Sequence, residues 1–249
     1  MHWTEEYFDS PHYMEEFANI YADEERTLKE VECIARELEL TREDSVLDLA
    51  CGIGRHTIGI AGRVGRIVGM DRGENLIEQA RLNAADKGAT GAEFIVRDIR
   101  QLDFREEFSA AYNYFTAWGY YDRDTNFDVL KRIRRSLKSG GRFLIEFIAR
   151  DALMFRFIPR DHAQMTDGTL LTIDRRFDFN TGWMVSTHTY IHPDGSRRTI
   201  EIDHQLPSPD HLMDLVSFAG FNNCRLVAAP DGGKVQIDTH RIAVIGYAP

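Results

Sequence analysis

Three acids, one inside and two at the end of short apolar runs, are the residues in this chain best placed to do chemistry. The first run is Val46-Leu47-Asp48-Leu49, which leads through Ala50 and Cys51 into Gly52-Ile53-Gly54 and then a helical pattern. That is a buried parallel strand, a tight turn and a helix start. Gly52 and Gly54 have no Cβ, so the backbone there can approach a ligand closely. Free N–H groups at the start of the following helix can then receive an anionic group. The second acid, Asp71, ends Arg66-Ile67-Val68-Gly69-Met70. A carboxylate at the tip of a second strand grips a ribose diol, accepting from two hydroxyls. The third, Asp98, ends the run 92–97 and is followed by Ile99. Asp98 suits an adenine amino group and Ile99 the face of the ring.

The elements that must hold these residues alternate strictly. Helical patterns span about 54–63, 73–87 and 124–138, with strands near 66–71, 92–97 and 108–114 and a fifth strand at 142–147. Such alternation predicts a parallel sheet with helices on both faces, and ligands then gather at the carboxyl ends of the strands. Beyond the fifth strand the period changes to two. Strands at 169–178, 183–191 and 197–206 are joined by Asn180-Thr181-Gly182 and Pro193-Asp194-Gly195, both hairpin signals. In this inserted meander Arg175 and His204 are polar residues on mainly apolar faces, which marks them as pocket candidates. Ser208-Pro209 opens a last helix that Gly220 closes, and strands at 222–228 and 241–247 follow. Upstream, Leu28, Val31, Ile34, Ala35 and Leu38 form the apolar face of a helix, preceded by an aromatic-rich segment.

Asp48-x-Ala50-Cys51-Gly52-x-Gly54, Asp71 and Asp98-Ile99 together resemble the motifs of class I S-adenosylmethionine-dependent methyltransferases. Glu25-Arg26-Thr27, Gly52-Ile53-Gly54-Arg55-His56 and the aromatic run 108–121 resemble a bacterial small-molecule group within that superfamily. The resemblance covers nearly the whole chain and is strongest over about 46–146. It implies an α/β fold: a Rossmann-like, doubly wound seven-stranded sheet with its last strand antiparallel, and the inserted antiparallel meander after strand 5. It implies one methyltransferase domain over 1–249, divided into an N-terminal helical lid (1–40), a cofactor-binding core (41–150), an inserted sheet (160–207) and closing helix and strands (208–249). S-adenosyl-L-methionine is the implied cofactor. Its contacts are expected at Asp48, Ala50, Cys51, Gly52, Gly54, Asp71, Arg72, Asp98, Ile99 and Asn113, with Tyr21 and Arg26 reaching in from the lid. Asp48 orients the turn and reaches the cofactor ammonium through water. Arg26 either pairs with the cofactor carboxylate or bridges to Glu25 or Glu30 on its own helix. The segment Asn113-Tyr114-Phe115-Thr116 lacks the two prolines of the base-methylating enzymes, which points away from nucleobases.

The expected function is methyl transfer to an N or O atom of a small-molecule acceptor by in-line displacement, achieved mainly by positioning. A general base is required only where the acceptor must lose a proton, and His188, His204 and Tyr120 are the candidates. Two alternatives stand beside this reading. A NAD-dependent oxidoreductase would use G-x-G-x-x-G, but Thr57 occupies the third glycine position. A non-catalytic S-adenosylmethionine sensor would keep the same motifs.

Composition sets further bounds. With 249 residues, 43% of them hydrophobic, the chain is long enough for one large core. A net charge of -10 argues against a nucleic-acid partner and suits a neutral or cationic acceptor. Cys33, Cys51 and Cys224 are too few and too scattered for disulfides or a metal site, so no metal is expected. Without a long apolar run or a signal-like N-terminus, a cytoplasmic protein with no membrane contact is expected. The open edge of the meander suits pairing of two chains into a homodimer.

Overall fold

The computed structural model describes residues 2–8 and 10–249, with Pro11 and His12 described by their backbone alone; Met1 and Asp9 lie outside it. Three short helices open the chain, α1 (Trp3–Phe8), α2 (Pro11–Glu16) and α3 (Ala18–Ala22), ahead of the longer α4 (Glu24–Glu37). Asp23 caps α4 by accepting from the Arg26 amide at 2.9 Å. The alternating part follows as β1 (Ser45–Leu49), α5 (Arg55–Ala61), β2 (Arg66–Asp71), α6 (Glu74–Asp86), β3 (Ala92–Val96), β4 (Phe108–Asn113), α7 (Arg123–Ser136) and β5 (Leu137–Ile148). Next come α8 (Arg150–Phe155) and the strands β6 (Arg160–Gln164), β7 (Leu170–Asp178), β8 (Trp183–Ile191) and β9 (Arg197–Gln205). The chain closes with α9 (Pro209–Phe218), β10 (Asn222–Ala228) and β11 (Arg241–Tyr247).

Seven strands form one sheet in the order β10-β11-β5-β4-β1-β2-β3. Strands β1 to β5 pair in parallel, and β11 enters antiparallel between β5 and β10. The doubly wound sheet with a reversed last strand, expected from the sequence, is therefore borne out. Alternation along each strand divides the core. Val46, Ile67, Ala110, Tyr112 and Leu144 pack against Val31 and Ile34 of α4 and Leu38 just after it. Their neighbours Leu47, Val68, Ala111, Phe143 and Ile145 pack on the other face against Val129, Leu130 and Ile133 of α7.

The second sheet is antiparallel with order β6-β7-β8-β9, and its hairpins turn at Gly182 (φ 75°) and Gly195 (φ 85°). Glycine is needed there because other residues disfavour the left-handed region. Its first strand, β6, was not legible in the sequence: Arg-Asp-His-Ala-Gln is exposed at every position and has no apolar alternation. This sheet does not stand alone. Tyr190, Leu171, Ile173 and Ile200 form a cluster with Tyr7 that Trp3, Phe8, Tyr13 and Phe17 extend, so the N-terminal helices are packed onto it. Among the described residues, no helix is long and apolar enough to cross a membrane.

Candidate functional site

A cavity of about 490 Å³ lies where the carboxyl ends of β1, β2, β3 and β4 meet the N-terminal helices and the second sheet. Its floor is the turn after β1. Ala50 (φ 59°) and Gly52 (φ 54°) both take left-handed backbone, and a Cβ on Gly52 would meet nothing within 4 Å. The space at Gly52 is thus open to a ligand. Asp71, at the end of β2, accepts from the Gly52 amide and the Gly73 amide, both at 2.9 Å. Burial raises its pKa and these two donors oppose the rise. Each carboxylate oxygen keeps a second lone pair for another donor. At the end of β3, Asp98 accepts a fork from Arg100, with Nε to Oδ1 at 3.0 Å and Nη2 to Oδ2 at 2.6 Å. Burial would raise the Asp98 carboxyl, but the Arg100 bonds outweigh it and hold the group low. Ile99 stands beside it on the wall, in a short 3₁₀ turn.

One corner of the cavity is cationic. Arg26, Arg55 and Arg241 place their guanidinium carbons 5.4, 5.6 and 5.0 Å from the centre of the Phe115 ring. Buried carboxylates hold them there. Glu30 bonds Arg26, Arg55 and His56 at 2.9 Å each. Burial would raise Glu30, yet these partners more than offset it and hold it at about 2. Glu146, fully buried in β5, pairs with Arg241 and accepts from the Phe115 amide at 2.7 Å. Arg241 also donates to Thr116 Oγ1 at 2.9 Å. Phe115 (φ 70°) and Thr116 (φ 59°) are consecutive non-glycine residues in left-handed backbone, and this network is what holds them.

The roof is aromatic and histidine-rich. Tyr21 donates to Tyr13 at 3.0 Å, and Tyr120 lies 4.7 Å from the His204 ring. Tyr120 donates its hydroxyl proton to the Thr116 carbonyl at 2.7 Å, and burial pushes its pKa up. His204 Nε2 donates to the Trp118 carbonyl at 2.7 Å, which ties β9 to the loop after β4. Burial pulls His204 down to about 4 against that bond, while burial and Arg175 pull His188 to about 4. Both rings are neutral at pH 7.

Comparison with known proteins agrees with this geometry. Residues 46–141 match the family model described as a methyltransferase domain. The methyltransferase CcbJ of Streptomyces caelestis superposes with a TM-score of 0.79 at 16% identity, covering 97% of each chain. The S-adenosylmethionine-bound amino pentose methyltransferase CalS10 of Micromonospora echinaspora gives a TM-score of 0.66 at 14% identity, covering 96% of this chain and 98% of that one. Residues 46–141 thus match a methyltransferase domain, and the whole chain shares the fold of these solved methyltransferases. A 23S rRNA (uracil(1939)-C(5))-methyltransferase of Methylococcus capsulatus is 36% identical over 69 residues, covering 28% of this chain and 16% of that protein. The chain thus spans about a sixth of that relative's length.

Within the methyltransferase core, most of the expected cofactor residues reach the cavity: Ala50, Cys51, Gly52, Asp71, Arg72, Asp98 and Ile99, with Tyr21 and Arg26 from the N-terminal segment. Three others stand behind its wall. Asp48 is buried and accepts from Thr57 Oγ1 at 2.6 Å, so it braces the turn. Gly54 (φ 80°) is a packing glycine, since a Cβ there would lie 2.9 Å from the Phe94 ring. Asn113 is fully buried and donates through Nδ2 to the Leu49 carbonyl at 2.9 Å, which joins β4 to β1. The turn's amides are also less available than expected, because Cys51 donates to Met70, Gly52 to Asp71 and Gly54 to Cys51. Arg26 faces the cavity and pairs with Glu30 at 2.9 Å. The Cys51 thiol is pushed well up by burial, in keeping with an inert side chain.

The overall charge misled about the site itself. Six arginines but three carboxylates line the cavity of a chain with net charge -10. Glu16, Glu146 and Arg241 were not singled out in the sequence. A signal existed for the last two: one acid inside Phe-Leu-Ile-Glu-Phe and one base opening Arg-Ile-Ala-Val-Ile must pair if both strands are central.

Proposed function

We propose that this protein transfers the methyl group of S-adenosylmethionine to an N or O atom of a small-molecule acceptor, mainly by positioning. The observation that carries the reading is the convergence of three strand ends on one cavity. The open turn at Gly52, the Asp71 carboxylate and the Asp98–Ile99 pair line one side, and aromatic helices with a second sheet cover the other. Asp71 would accept from ribose hydroxyls, Asp98 and Ile99 would take adenine, and Arg26 beside Arg55 would take the carboxylate of the methionine end. When bound, the sulfonium supplies an activated methyl group with a neutral leaving group. The chain's own residues then align the acceptor and keep water out, the entropic part of catalysis. An enclosed roof favours a small molecule over a polymer, and solved neighbours described as sugar and amino pentose methyltransferases have the same fold.

The test is a product screen. The protein is incubated with S-adenosylmethionine and a panel of small alcohols and amines, and products are read by mass spectrometry. One added methyl group, matched mole for mole by S-adenosylhomocysteine, is the expected result. Cofactor binding with no methylated product across sugar, phenol and amine panels would favour the sensor reading.

A further inference from the structure

At the roof, far in sequence from the cofactor motifs, β8 brings His188 beside Glu16 of α2. The His188 Nδ1 atom lies 3.7 Å from Glu16 Oε1 and, among the described residues, has no hydrogen-bond partner although it is buried. His188 is 7% exposed and lines the cavity, as does Glu16. The carboxylate is fixed from its other oxygen, Oε2, which accepts from the Tyr190 hydroxyl at 3.1 Å. The Tyr7 ring meets the imidazole edge-on at 5.8 Å and closes this corner from solvent.

An unpartnered buried nitrogen is expensive, and native proteins retain few of them. We propose that Glu16 is a positioning residue that keeps the His188 proton on Nδ1, so that Nε2 presents a bare lone pair to the cavity and takes the proton of an attacking hydroxyl. This rests on the methyl-transfer reading above. An ionised carboxylate only accepts, so a lone pair on Nδ1 facing Glu16 would be repelled, whereas N–H on Nδ1 is attracted. The same division of labour, an acid fixing one nitrogen so that the other works, recurs in acid–histidine pairs generally.

The other candidate bases are committed elsewhere. The outer nitrogen of His204 donates to the Trp118 carbonyl, and the Tyr120 hydroxyl donates to the Thr116 carbonyl. Arg175, on the same wall, acts electrostatically on both His188 and Glu16. Arg175 is itself paired with Asp161 at 3.4 Å, so it is the bare lone pair on Nε2, suited to a neutral hydroxyl that must lose its proton, that gives the acceptor its class. The step balances. The acceptor O–H bond breaks and its proton goes to His188 Nε2. The oxygen pair forms the bond to the methyl carbon, and the S–CH₃ bond breaks with its pair staying on sulfur. The imidazolium, its Nδ1–H held toward Glu16, then releases the proton to solvent.

Long-range ¹H–¹⁵N spectra of the full chain, labelled in histidine and recorded at pH 7, report which ring nitrogen carries the proton without any acceptor. The expected result is the Nδ1–H form of His188 in the wild type, assigned with His188→Asn, and the Nε2–H form in Glu16→Ala. Finding Nε2–H in the wild type would overturn the proposal whether or not the variant folds. So would a tautomer unchanged by Glu16→Ala. Binding of S-adenosylhomocysteine to the same samples separates the two failures, because loss of that binding in the wild type would sink the methyl-transfer reading and leave the tautomer result standing.

Discussion

The floor of the cavity is assembled from successive strand ends, Ala50–Gly52, Asp71 and Asp98, each set at the carboxyl end of its own parallel strand. The roof is assembled from distant parts of the chain: Glu16 with Tyr190, Arg198 with Ser10 at 2.9 Å, and Tyr7 with Leu171 and Ile200. On the floor, Asp71 is satisfied by the backbone amides of Gly52 and Gly73. The roof instead carries buried neutral histidines, one of them with an unpartnered nitrogen. The two sides of one cavity thus differ in construction, the floor from neighbouring strand ends and the roof from segments distant in the chain.

The sharpest way to break this division is at its seam. Glu146→Ala would leave the half-buried Arg241 guanidinium without its partner, and loss of one member of a buried pair costs up to about 3–5 kcal/mol. Denaturant unfolding would measure it, and the strained Phe115–Thr116 backbone should loosen at the same time.

Acidity should separate the two regions next. His188 and His204 sit near 4 in the fold against an ordinary value of 6.5. The unfolded chain therefore takes up protons first, and stability should fall as pH drops from 6.5 toward 4, by at most about 3 kcal/mol per histidine. Glu30 is held at about 2 against an ordinary 4.5, so its contribution is full above 4.5 and disappears between there and 2. Melting temperatures across pH should show both windows. A His188→Asn/His204→Asn double variant should flatten only the upper one.

The two turn glycines offer a finer contrast. Gly54→Ala combines overpacking against Phe94, about 1–3 kcal/mol, with left-handed backbone, about 1–2 kcal/mol. Gly52→Ala meets open space and carries only the backbone cost. Unfolding should rank Gly54→Ala as the less stable, while calorimetry should find the weaker S-adenosylhomocysteine binding in Gly52→Ala. The smallest effect is expected at Arg198→Ala, where a partly exposed contact to the N-terminal helices is worth below about 1 kcal/mol. Limited proteolysis before α4 should accelerate a few-fold.

Legibility in the sequence followed the same division. The alternating strands and helices could be read because a period of two or of 3.6 and the glycine turns are local signals. Ala50, Gly52, Asp71 and Asp98 reach the cavity for that reason. Asn113 and Asp48 carry the same motif signal but spend their side chains on Leu49 and Thr57, a choice made by packing that spacing does not encode. Glu16 and β6 were missed for a related reason. Glu16 looks like one acid on a surface helix until β8 covers it, and β6 joins β7 through its backbone and exposed ion pairs such as Arg160–Asp174, with no apolar alternation to read.

The central claim, that the strand ends hold S-adenosylmethionine, is tested most directly by calorimetric titration of S-adenosylhomocysteine and of NADH into the wild type and Asp71→Ala. The account predicts one S-adenosylhomocysteine site per chain and no NADH heat. It also predicts a loss of about tenfold or more in Asp71→Ala, as expected for a charge-assisted contact of about 1.5–3 kcal/mol. Saturable NADH binding with no S-adenosylhomocysteine signal would contradict it.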